Sequence, residues 1–332
     1  MQKIRVGVIG TGHLGRLHAT LYKNVPAAEL YGVYDIDPER AAAVAAEAGC
    51  LACADIDSLL AQVDAVNIVV PTTHHFSIAM QALDRGKHLF IEKPITATVA
   101  EAEKLVATAR SHGLLVQVGH IERFNQAMRA LSSVQVSPGF IESHRLASFN
   151  PRGTDVAVVL DLMIHDIDVI LSLVRQPVQR IDANGVAVIS DEPDIANARI
   201  TFANGCVANV TASRISQNKM RKMRLFERET YISVDFLQGI TERFHLVSEL
   251  PENSGTGLVM GKMEGNKTRY VYYDRLSAPE GNALQMELES FVQAIADGSE
   301  PAVTAEEGMQ ALQVASEISQ IIKKQTEATH GH

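Results

Sequence analysis

The sequence has few cysteines, no long apolar run and no excess of positive charge, and each of these absences excludes a class of protein. Three cysteines in 332 residues cannot supply the disulfide framework of a small secreted domain. No apolar run approaches the ~20 residues that a membrane-spanning helix needs. The formal net charge is -9, whereas general binding to nucleic acid depends on clustered Lys and Arg.

The residues that are present indicate a folded protein. Hydrophobic residues make up 46% of the chain and charged residues 21%, as in globular proteins rather than disordered chains. A chain of this length usually forms about two domains. The opening stretch MQKIRVGVIG is too short an apolar run for a signal peptide and has no small-residue cleavage site, so we expect a cytoplasmic protein.

The first 120 residues alternate between short β-branched runs and Ala-rich helical stretches. This alternation predicts a doubly wound α/β domain with a parallel sheet over residues 1–122. Thr98 and Glu101 match a capping box, and Gly113 stands where a helix is expected to stop. The predicted strands are 4–10, 29–35, 65–71, 87–94 and 114–120, and the predicted helices are 14–23, 38–48, 56–61, 75–85 and 98–112.

After about residue 125 the pattern changes to β-rich stretches with one strong helix, predicted at 155–174. Asn204-Gly205 between two alternating runs predicts a two-residue hairpin turn, because both residues tolerate positive φ. The Gly-rich, polar segment 251–267 is predicted to be a surface loop. Together with closing helices at 283–297 and 304–324, this predicts an α+β domain over 123–332 on an open, mostly antiparallel sheet. Packing of the closing helices against the first domain is compatible with this prediction.

A glycine motif follows the first predicted strand and opens a helix: Gly10, Thr11, Gly12, His13, Leu14 and Gly15. The first glycine permits a tight turn, the second lets the backbone approach a pyrophosphate, and the third lets helix and strand pack closely. The helix N-terminus adds N–H groups and the positive end of a dipole. The motif therefore predicts a dinucleotide site; the alternative is a glycine turn without a ligand.

An acidic residue indicates which dinucleotide is bound. Asp35 ends the second predicted strand, 20 residues after Gly15, where a carboxylate binds the ribose hydroxyls of NAD and repels the 2'-phosphate of NADP. We therefore predict NAD in preference to NADP. Arg40 lies close enough in sequence to complicate this preference.

The loop from Pro71 to His75 follows a central strand. Ligands of open α/β sheets bind at the carboxyl ends of the strands, so Pro71, Thr72 and His75 are expected beside the cofactor. Adjacent histidines point in different directions and no nearby acid completes a metal site, so we predict no metal here.

Cys50 and Cys53 form a C-x-x-C pattern. Zinc would need a second ligand pair, and a redox dithiol should open a helix, whereas this pair lies at a short predicted strand. We interpret both as packing residues.

The fifth predicted strand ends in Glu92, Lys93 and Pro94, at the same edge as the cofactor. A lysine held there can donate hydrogen bonds to a substrate oxygen, favouring the alkoxide-like charge that develops as a hydride leaves carbon. The alternative is a solvated strand end.

The helical segment 158–170 places Asp161 and His165 four residues apart, on one face, with Asp168 three residues further on. A histidine with an ordinary pKa near ~6.5 can accept a hydroxyl proton at neutral pH, and a carboxylate can hold its tautomer. The alternative is a histidine with a structural hydrogen-bonding role.

Taken together, the glycine motif, P-x-x-x-H at 71–75, Glu92-Lys93-Pro94 and Asp161-x-x-x-His165 resemble the glucose-fructose oxidoreductase, inositol dehydrogenase and MocA (Gfo/Idh/MocA) family. The resemblance covers nearly the whole chain. It implies a Rossmann domain, NAD(P)-linked oxidation of a sugar or cyclitol hydroxyl, and a homodimer or homotetramer assembled through the open sheet. It also implies that Lys93, Asp161 and His165 are catalytic. Leu162-Met163-Ile164 stands where many relatives have a glycine, which is expected to reshape the floor of the substrate pocket.

Four stretches, at 119–127, 140–149, 151–168 and 206–216, resemble one branch of that family. The resemblance implies NAD-dependent oxidation of the 3-hydroxyl of UDP-linked N-acetylglucosamine, ahead of an aminotransferase that supplies a diamino sugar for lipid A. A free sugar, an inositol or a UDP-uronic acid stays open as the substrate. A non-catalytic NAD-binding sensor stays open as a different class of function.

Candidate substrate contacts are cationic or amide side chains that suit a diphosphate or a sugar. Five basic residues fall within eleven positions: Arg214, Lys219, Arg221, Lys222 and Arg224. The alternative for this run is a solvated or interface strand. Further candidates are Arg123, Asn125 and Arg152. A different set is expected to bury one sheet face against another subunit: Tyr231, Val234, Phe236, Tyr270 and Tyr272.

Overall fold

A computed structural model of the protein describes residues 3–149, 157–249, 257–263 and 268–330. The chain divides into two compact units. The first comprises residues 1–124 and 281–313, and the second comprises residues 125–280 and 314–332. Throughout the described ranges, no helix has both the length and the apolar character needed to cross a bilayer.

The first unit contains the doubly wound parallel sheet that the sequence predicts. Its strand order is β3-β2-β1-β4-β5-β6, and every pair is parallel. The order reverses at β1, which lies between β2 and β4, and ligands of doubly wound sheets bind at such a reversal. The strands are β1 Ile4–Ile9, β2 Ala28–Tyr34, β3 Leu51–Ala52, β4 Ala65–Ile68, β5 His88–Glu92 and β6 Val116–Gly119.

Local sequence signals determine where the helices of the first unit begin and end. Thr98 and Glu101 form the predicted capping box of α5, and Gly113 ends that helix with a φ of 63°. The closing helix α8 also belongs to this unit, where Phe291 meets Phe90 edge-on with ring centroids 5.8 Å apart. The helices of this unit are α1 His13–Leu21, α2 Pro38–Ala48, α3 Ile56–Leu60, α4 His75–Leu83, α5 Val99–His112 and α8 Ala283–Asp297.

The second unit contains a nine-stranded sheet in the order β14-β15-β13-β12-β11-β7-β10-β9-β8. Among the described strands of this sheet, only β7 and β10 pair in parallel, so the predicted mostly antiparallel sheet is confirmed. Its strands are β7 Phe140–Leu146, β8 Val178–Val186, β9 Ile195–Phe202, β10 Val207–Ser213, β11 Met220–Glu227, β12 Thr230–Asp235, β13 Ile240–Val247, β14 Leu258–Met263 and β15 Arg269–Leu276. The other helices are α6 Gln126–Leu131, α7 Ile164–Val174 and α9 Ala305–His330, which enters this unit at Val314.

Two local predictions in the second unit are wrong. The segment predicted as a surface loop contains the edge strand β14, which pairs with β15. This strand depends on backbone hydrogen bonds to β15, and the composition of the segment carries no information about them. The turn at Asn204-Gly205 joins β9 and β10 as predicted, but Phe202 pairs with Cys206 around a three-residue loop. Only Gly205 has a positive φ, of 84°. A three-residue hairpin needs one left-handed residue, whereas the predicted type needs two.

The two faces of the second sheet differ in what covers them. On β7, Ile141, Ser143 and Arg145 are buried and alternate with partly exposed side chains. Helix α7 contacts β7 and β10, and helix α6 contacts β12 and β13. Since side chains alternate along a strand, every second residue points to the opposite, open face.

Aromatic rings form a ladder across the open face. Successive ring centroids are 4.9 to 5.6 Å apart on five strands: Phe140, Phe226, Tyr231, Phe244 and Tyr273. The expectation that Val234, Phe236 and Tyr272 would face another subunit is wrong, because these three side chains are buried within the chain.

Candidate active site

Each glycine of the motif has a distinct structural role. Gly10 has a φ of 92°, and a side chain there would clash with the Val69 carbonyl. A side chain on Gly15 would clash with the Gly10 carbonyl, so helix and turn pack only because both are glycine. A Cβ on Gly12 would meet nothing within 4 Å. The open position is therefore the one where backbone can approach a pyrophosphate.

Gly12 also caps helix α1 without a side-chain hydrogen bond. The first N–H groups of a helix have no partner within it, and together with the helix dipole they form an anion site. A groove of about 470 Å3 adjoins this end of α1, between the glycine turn and α2. Its lining residues are Thr11, Gly12, His13, Arg16, Arg40, Ala43, Val44 and Glu47. The exposed side chains of His13 and Leu14 follow the turn.

Asp35 connects the end of β2 to the glycine turn. Its Oδ2 accepts hydrogen bonds from the Thr11 backbone amide at 2.6 Å and the Thr11 hydroxyl at 2.9 Å, and its Oδ1 accepts from the Asp37 amide at 3.0 Å. Arg40 Nη1 lies 4.0 Å from Oδ1. Burial alone would raise the pKa of Asp35, but these hydrogen bonds and the Arg40 charge outweigh burial and lower that pKa. The carboxylate is therefore ionised at neutral pH, as recognition of ribose hydroxyls requires.

The loop that starts at Pro71 lies at the carboxyl end of β4, as predicted. Pro71 is exposed and Thr72 is half-buried. His75 is buried; its Nδ1 lies 2.9 Å from the Pro94 carbonyl oxygen and its Nε2 lies 2.9 Å from the Val70 carbonyl oxygen. Burial lowers the pKa of His75, against the hydrogen bonds that raise it. His75 therefore ties the loop after β4 to the turn after β5.

That turn carries Glu92, Lys93 and Pro94. Glu92 is the last residue of β5, and Lys93 and Pro94 are half-buried. The peptide bond between Lys93 and Pro94 is cis. Thus the glycine turn, Asp35, the loop at Pro71 and the turn at Lys93 all lie at the carboxyl ends of β1, β2, β4 and β5. The residues present fit a bound nicotinamide dinucleotide.

Asp161 and His165 belong to the second unit, whereas Lys93 belongs to the first. Asp161 lies in a π-helical turn, Val159–Met163, and His165 lies in the first turn of α7; both side chains are half-buried. Of the helical segment predicted over 155–174, residues 155 and 156 lie outside the described ranges; the chain is helical from Val158 to Val174, with a π turn before α7. Such turns are frequent at functional sites.

The three side chains of the Leu162-Met163-Ile164 segment differ in burial. Met163 and Ile164 are fully buried in the second unit, and only Leu162 is partly exposed. The bulk that replaces glycine therefore fills the core. Asp168 is also buried.

Sequence reasoning missed the buried ion pair that holds α7 on the sheet. Arg145 Nε donates to Asp166 Oδ2 at 2.6 Å, and Arg145 Nη2 and Ser143 Oγ donate to Asp166 Oδ1 at 3.3 and 3.0 Å. Asp166 is next to His165 in the chain. Two charges buried this deeply indicate a fixed position for the helix. From the sequence, only the adjacency of Asp166 to His165 could have suggested this pair.

The candidate substrate residues are engaged within their own units. Asn125 caps α6 by accepting from the Ala127 amide, and its Nδ2 donates to the Phe236 carbonyl at 3.0 Å. Arg123 Nη2 lies 3.4 Å from Glu307 Oε1. Arg152 lies outside the described residues.

The basic run does not form one anion patch. Arg214 Nε lies 3.7 Å from Asp194, Lys222 lies 3.0 Å from Asp235, and Arg224 lies 2.7 Å from Glu142. Lys222 and Arg224 alternate with the buried Met223 and Leu225, so they point to the open face. The solvated-strand and interface-strand alternatives both stay open for those two residues.

The cysteines of the C-x-x-C pattern flank the two-residue strand β3 and are half-buried. Burial, then the neighbouring Cys53, raises the pKa of the Cys50 thiol to about 11, which disfavours a reactive thiolate. Within the described part of the chain, no three His, Cys, Asp or Glu side chains are grouped as metal ligands.

Comparison with known proteins identifies the family. The family model described as "Oxidoreductase family, NAD-binding Rossmann fold" matches residues 4–120, and a Gfo/Idh/MocA C-terminal domain matches residues 137–232. UDP-N-acetylglucosamine 3-dehydrogenase from Acidithiobacillus ferrooxidans is 41% identical over 297 residues, which are 89% of this chain and 90% of that protein. The chain belongs to the Gfo/Idh/MocA family. It is therefore an oxidoreductase that acts on CH–OH groups with a nicotinamide cofactor.

Two solved structures share this architecture. The structure of UDP-N-acetylglucosamine 3-dehydrogenase GnnA from Acidithiobacillus ferrooxidans matches with a TM-score of 0.87 at 38% identity, over 98% of this chain and 99% of that one. Scyllo-inositol dehydrogenase from Lactobacillus casei, with bound NAD(H) and scyllo-inositol, matches with a TM-score of 0.77 at 22% identity, over 98% of both chains. At that identity, the second match shows the fold alone.

Proposed function

We propose that the chain oxidises the 3-hydroxyl of UDP-N-acetylglucosamine to the 3-keto sugar, with NAD as the oxidant. The observation that carries this proposal is the 41% identity, over 89% of the chain, to a relative with that activity in its name. The motifs that suit the chemistry support it: the glycine turn and Asp35 for the dinucleotide, and Lys93, Asp161 and His165 for the hydroxyl.

The proposed reaction removes a proton and a hydride from one carbinol. His165 accepts the proton of the 3-hydroxyl, and Asp161 orients the imidazole. Lys93 donates a hydrogen bond to the oxygen as negative charge develops on it. NAD, when bound, supplies the nicotinamide carbon that receives the hydride, so the products are the ketone, NADH and one proton. This mechanism requires the two units to bring Lys93 and His165 to the same hydroxyl.

The preference for NAD over NADP is part of the proposal. Asp35 is an ionised carboxylate at the end of β2, where a 2'-phosphate would meet like charge. Arg40 lies beside it but is shared with Asp37, at 3.3 Å. The charges of Asp35 and Asp37 offset that of Arg40, which weakens its attraction for a 2'-phosphate.

For the UDP group we keep Arg123, Asn125, Arg152 and Arg214 as candidate contacts. Arg123 and Arg214 already face carboxylates of their own units. Because a guanidinium carries five N–H donors, each can contact a further oxygen without losing that partner. Both the oxygen and the nitrogen of the Asn125 side-chain amide already form hydrogen bonds to the backbone. The contribution of Asn125 would therefore be to shape the backbone after Phe124.

Assembly of identical copies through the open sheet face is a further part of the proposal. The aromatic ladder and the Arg224–Glu142 pair lie on that face, and Phe226 is exposed. Aromatic residues and Arg are enriched in interfaces, and a sheet face with such rings is commonly covered. A homodimer or homotetramer built on this surface is expected.

A cytoplasmic location goes with this proposal, because NAD and UDP-sugars are metabolites of that compartment. The 3-keto product is chemically suited to transamination, which would yield a diamino sugar of the kind used in lipid A.

The test is a substrate panel assayed by NADH formation. We expect turnover of UDP-N-acetylglucosamine and its loss when N-acetylglucosamine without UDP is supplied. Turnover of an inositol, a free sugar or a UDP-uronic acid in its place would change the substrate but keep the enzyme class. Binding of NAD without turnover of any hydroxyl compound would instead indicate a sensor.

A further inference from the structure

Four hydrogen-bonded side chains run through the core of the first unit and end beside Lys93. Tyr22 Oη donates to Asn67 Oδ1 at 2.7 Å, Asn67 Nδ2 lies 2.9 Å from His18 Nδ1, and His18 Nε2 lies 3.0 Å from Glu92 Oε1. His18 and Asn67 are 0% exposed. Buried polar side chains are costly unless they are satisfied, so this arrangement has a stabilising or functional reason.

The direction of the hydrogen bonds follows from the Asn67 side-chain amide, whose oxygen only accepts and whose nitrogen only donates. Burial raises the pKa of the Tyr22 hydroxyl, more than the Asn67 hydrogen bond lowers it, so Tyr22 remains a donor. Its hydroxyl meets the amide oxygen, and the amide nitrogen, which can only donate, faces His18 Nδ1. Nδ1 is then the acceptor, and the ring proton of His18 lies on Nε2, directed at Glu92.

The Glu92 carboxylate is held from several sides. Oε1 accepts from His18, and Oε2 accepts from the backbone amide of Lys93 at 3.3 Å. A Cβ on Gly119, the partner of Glu92 in β6, would lie 3.1 Å from the carboxyl atoms, so glycine leaves room for them. The ring of Phe90 meets the His18 ring edge-on, with centroids 5.3 Å apart.

Glu92 is kept in its charged form. Burial would raise the pKa of Glu92, but interactions with His18 and the charge of Lys93 outweigh burial and lower it. At neutral pH both carboxylate oxygens therefore accept hydrogen bonds. The carboxylate connects a rigid core to the first residue of the turn after β5.

We propose that His18 is a positioning residue for Lys93. Tyr22 and Asn67 fix the tautomer of the His18 ring, and the Nε2–H of that ring fixes the Glu92 carboxylate. The carboxylate in turn holds the backbone that presents the Lys93 amine. This role rests on the proposed function, in which Lys93 contacts the reacting oxygen. His18 itself touches neither substrate nor cofactor in this role.

The test compares His18→Leu with His18→Gln, whose amide can donate toward Glu92 as Nε2 does. We expect His18→Leu to lower kcat by roughly 10- to 100-fold, as small misplacements of catalytic groups do, with the KM for sugar and the Kd for NAD within about 3-fold. His18→Gln should recover most of the lost kcat. Leu59→Ala, which opens a cavity under the same sheet, is the control for general destabilisation and should leave kcat unchanged at 25 °C.

A double-mutant cycle separates positioning from stability. If His18 acts through Glu92, His18→Leu should cost little further kcat in a Glu92→Gln background. Fully additive losses, or equal losses for His18→Gln and His18→Leu, would overturn the proposal. Nitrogen-15 shifts of the His18 ring provide a second readout: a proton on Nδ1 would also overturn it.

The same measurements distinguish this role from the proposed function. The kinetic variants are compared on whichever hydroxyl substrate the unsubstituted protein turns over. If the protein turns over UDP-N-acetylglucosamine and the kcat losses of His18→Leu and Glu92→Gln are additive, the His18 role is wrong and the proposed function stands. Absence of turnover on every substrate removes the proposed function and this role with it, even when the ring tautomer is as described.

Discussion

The Asp35 carboxylate accepts hydrogen bonds from both the backbone amide and the hydroxyl of Thr11, at 2.6 and 2.9 Å. The acid expected to recognise ribose therefore also holds the glycine turn that would receive the pyrophosphate. Recognition of the sugar and shape of the phosphate site are connected through one side chain. A change at Asp35 should affect both.

Asp35→Ser is expected to raise the KM for NAD about 10-fold or more, since a lost hydrogen-bonded charge contact costs about 1.5 to 3 kcal/mol. It should also improve the use of NADP, because the carboxylate that repels a 2'-phosphate is gone. The measurement is kcat/KM with each cofactor. Asp55→Ser is the matched control, since Asp55 caps the short helix α3 and should leave the cofactor ratio unchanged. An unaltered NAD to NADP ratio in Asp35→Ser would remove Asp35 from cofactor selection.

His165→Ala is expected to lower kcat by about 10²- to 10⁴-fold, the usual contribution of a general base. The Kd for NAD, measured by nucleotide fluorescence, should change by less than about 2-fold because the dinucleotide motif lies in the other unit. His112→Ala, at the exposed C-terminal end of α5, serves as the control. Loss of NAD affinity with retained turnover would assign His165 a structural role.

Asp194 supports the second sheet in a way that depends on pH. Burial would raise its pKa, but hydrogen bonds from the Ile189, Val188 and Ser190 amides and the Ser190 hydroxyl lower that pKa to about 2. A lowered folded-state pKa contributes stability above the unfolded-state value, near ~4, and this contribution is lost as pH falls toward 2.

Asp194→Asn should therefore lower the free energy of unfolding at pH 7 by about 1 to 2 kcal/mol, because a pKa lowered to about 2 in a buried carboxylate corresponds to a contribution of that order. The difference from the unsubstituted protein should shrink between pH 4 and about pH 2. Denaturant titrations of both proteins at several pH values measure this difference in the free energy of unfolding. Asp182→Asn breaks an exposed pair with Arg180 and should cost less than about 0.5 kcal/mol. A difference that stays constant across this pH range would contradict the assignment.

Tyr231→Glu is expected to convert the proposed oligomer to a monomer, because it places a charge in the middle of the aromatic ladder. Sedimentation at micromolar concentration measures the change. Val188→Glu introduces the same charge at an exposed apolar position that is not in the ladder and should leave assembly intact. A monomeric unsubstituted protein would contradict assembly through this face.

Features that depend on neighbouring residues could be predicted from the sequence. The glycine turn, Asp35 at the end of β2, and the Thr98 and Gly113 boundaries each rest on a few adjacent positions, and the structure has all of them. Features that depend on distant residues could not. The β14 strand needs β15, and His18 meets Asn67 and Glu92 only after the first sheet forms, 49 and 74 residues away.

The candidate site shows the same division. Short motifs predict Lys93, Asp161 and His165 as the reacting groups. Arg145 and Asp166, which hold the helix of His165, are 21 residues apart and belong to no motif. The sequence pattern therefore identified groups that suit the chemistry and missed the residues that hold them in place.

The most direct test of the proposed reaction uses UDP-N-acetylglucosamine that carries deuterium on carbon 3 of the sugar. The account predicts that NADH formed from this substrate is one mass unit heavier, because the hydride leaves from that carbon. Unlabelled NADH, or no NADH at all, would contradict it.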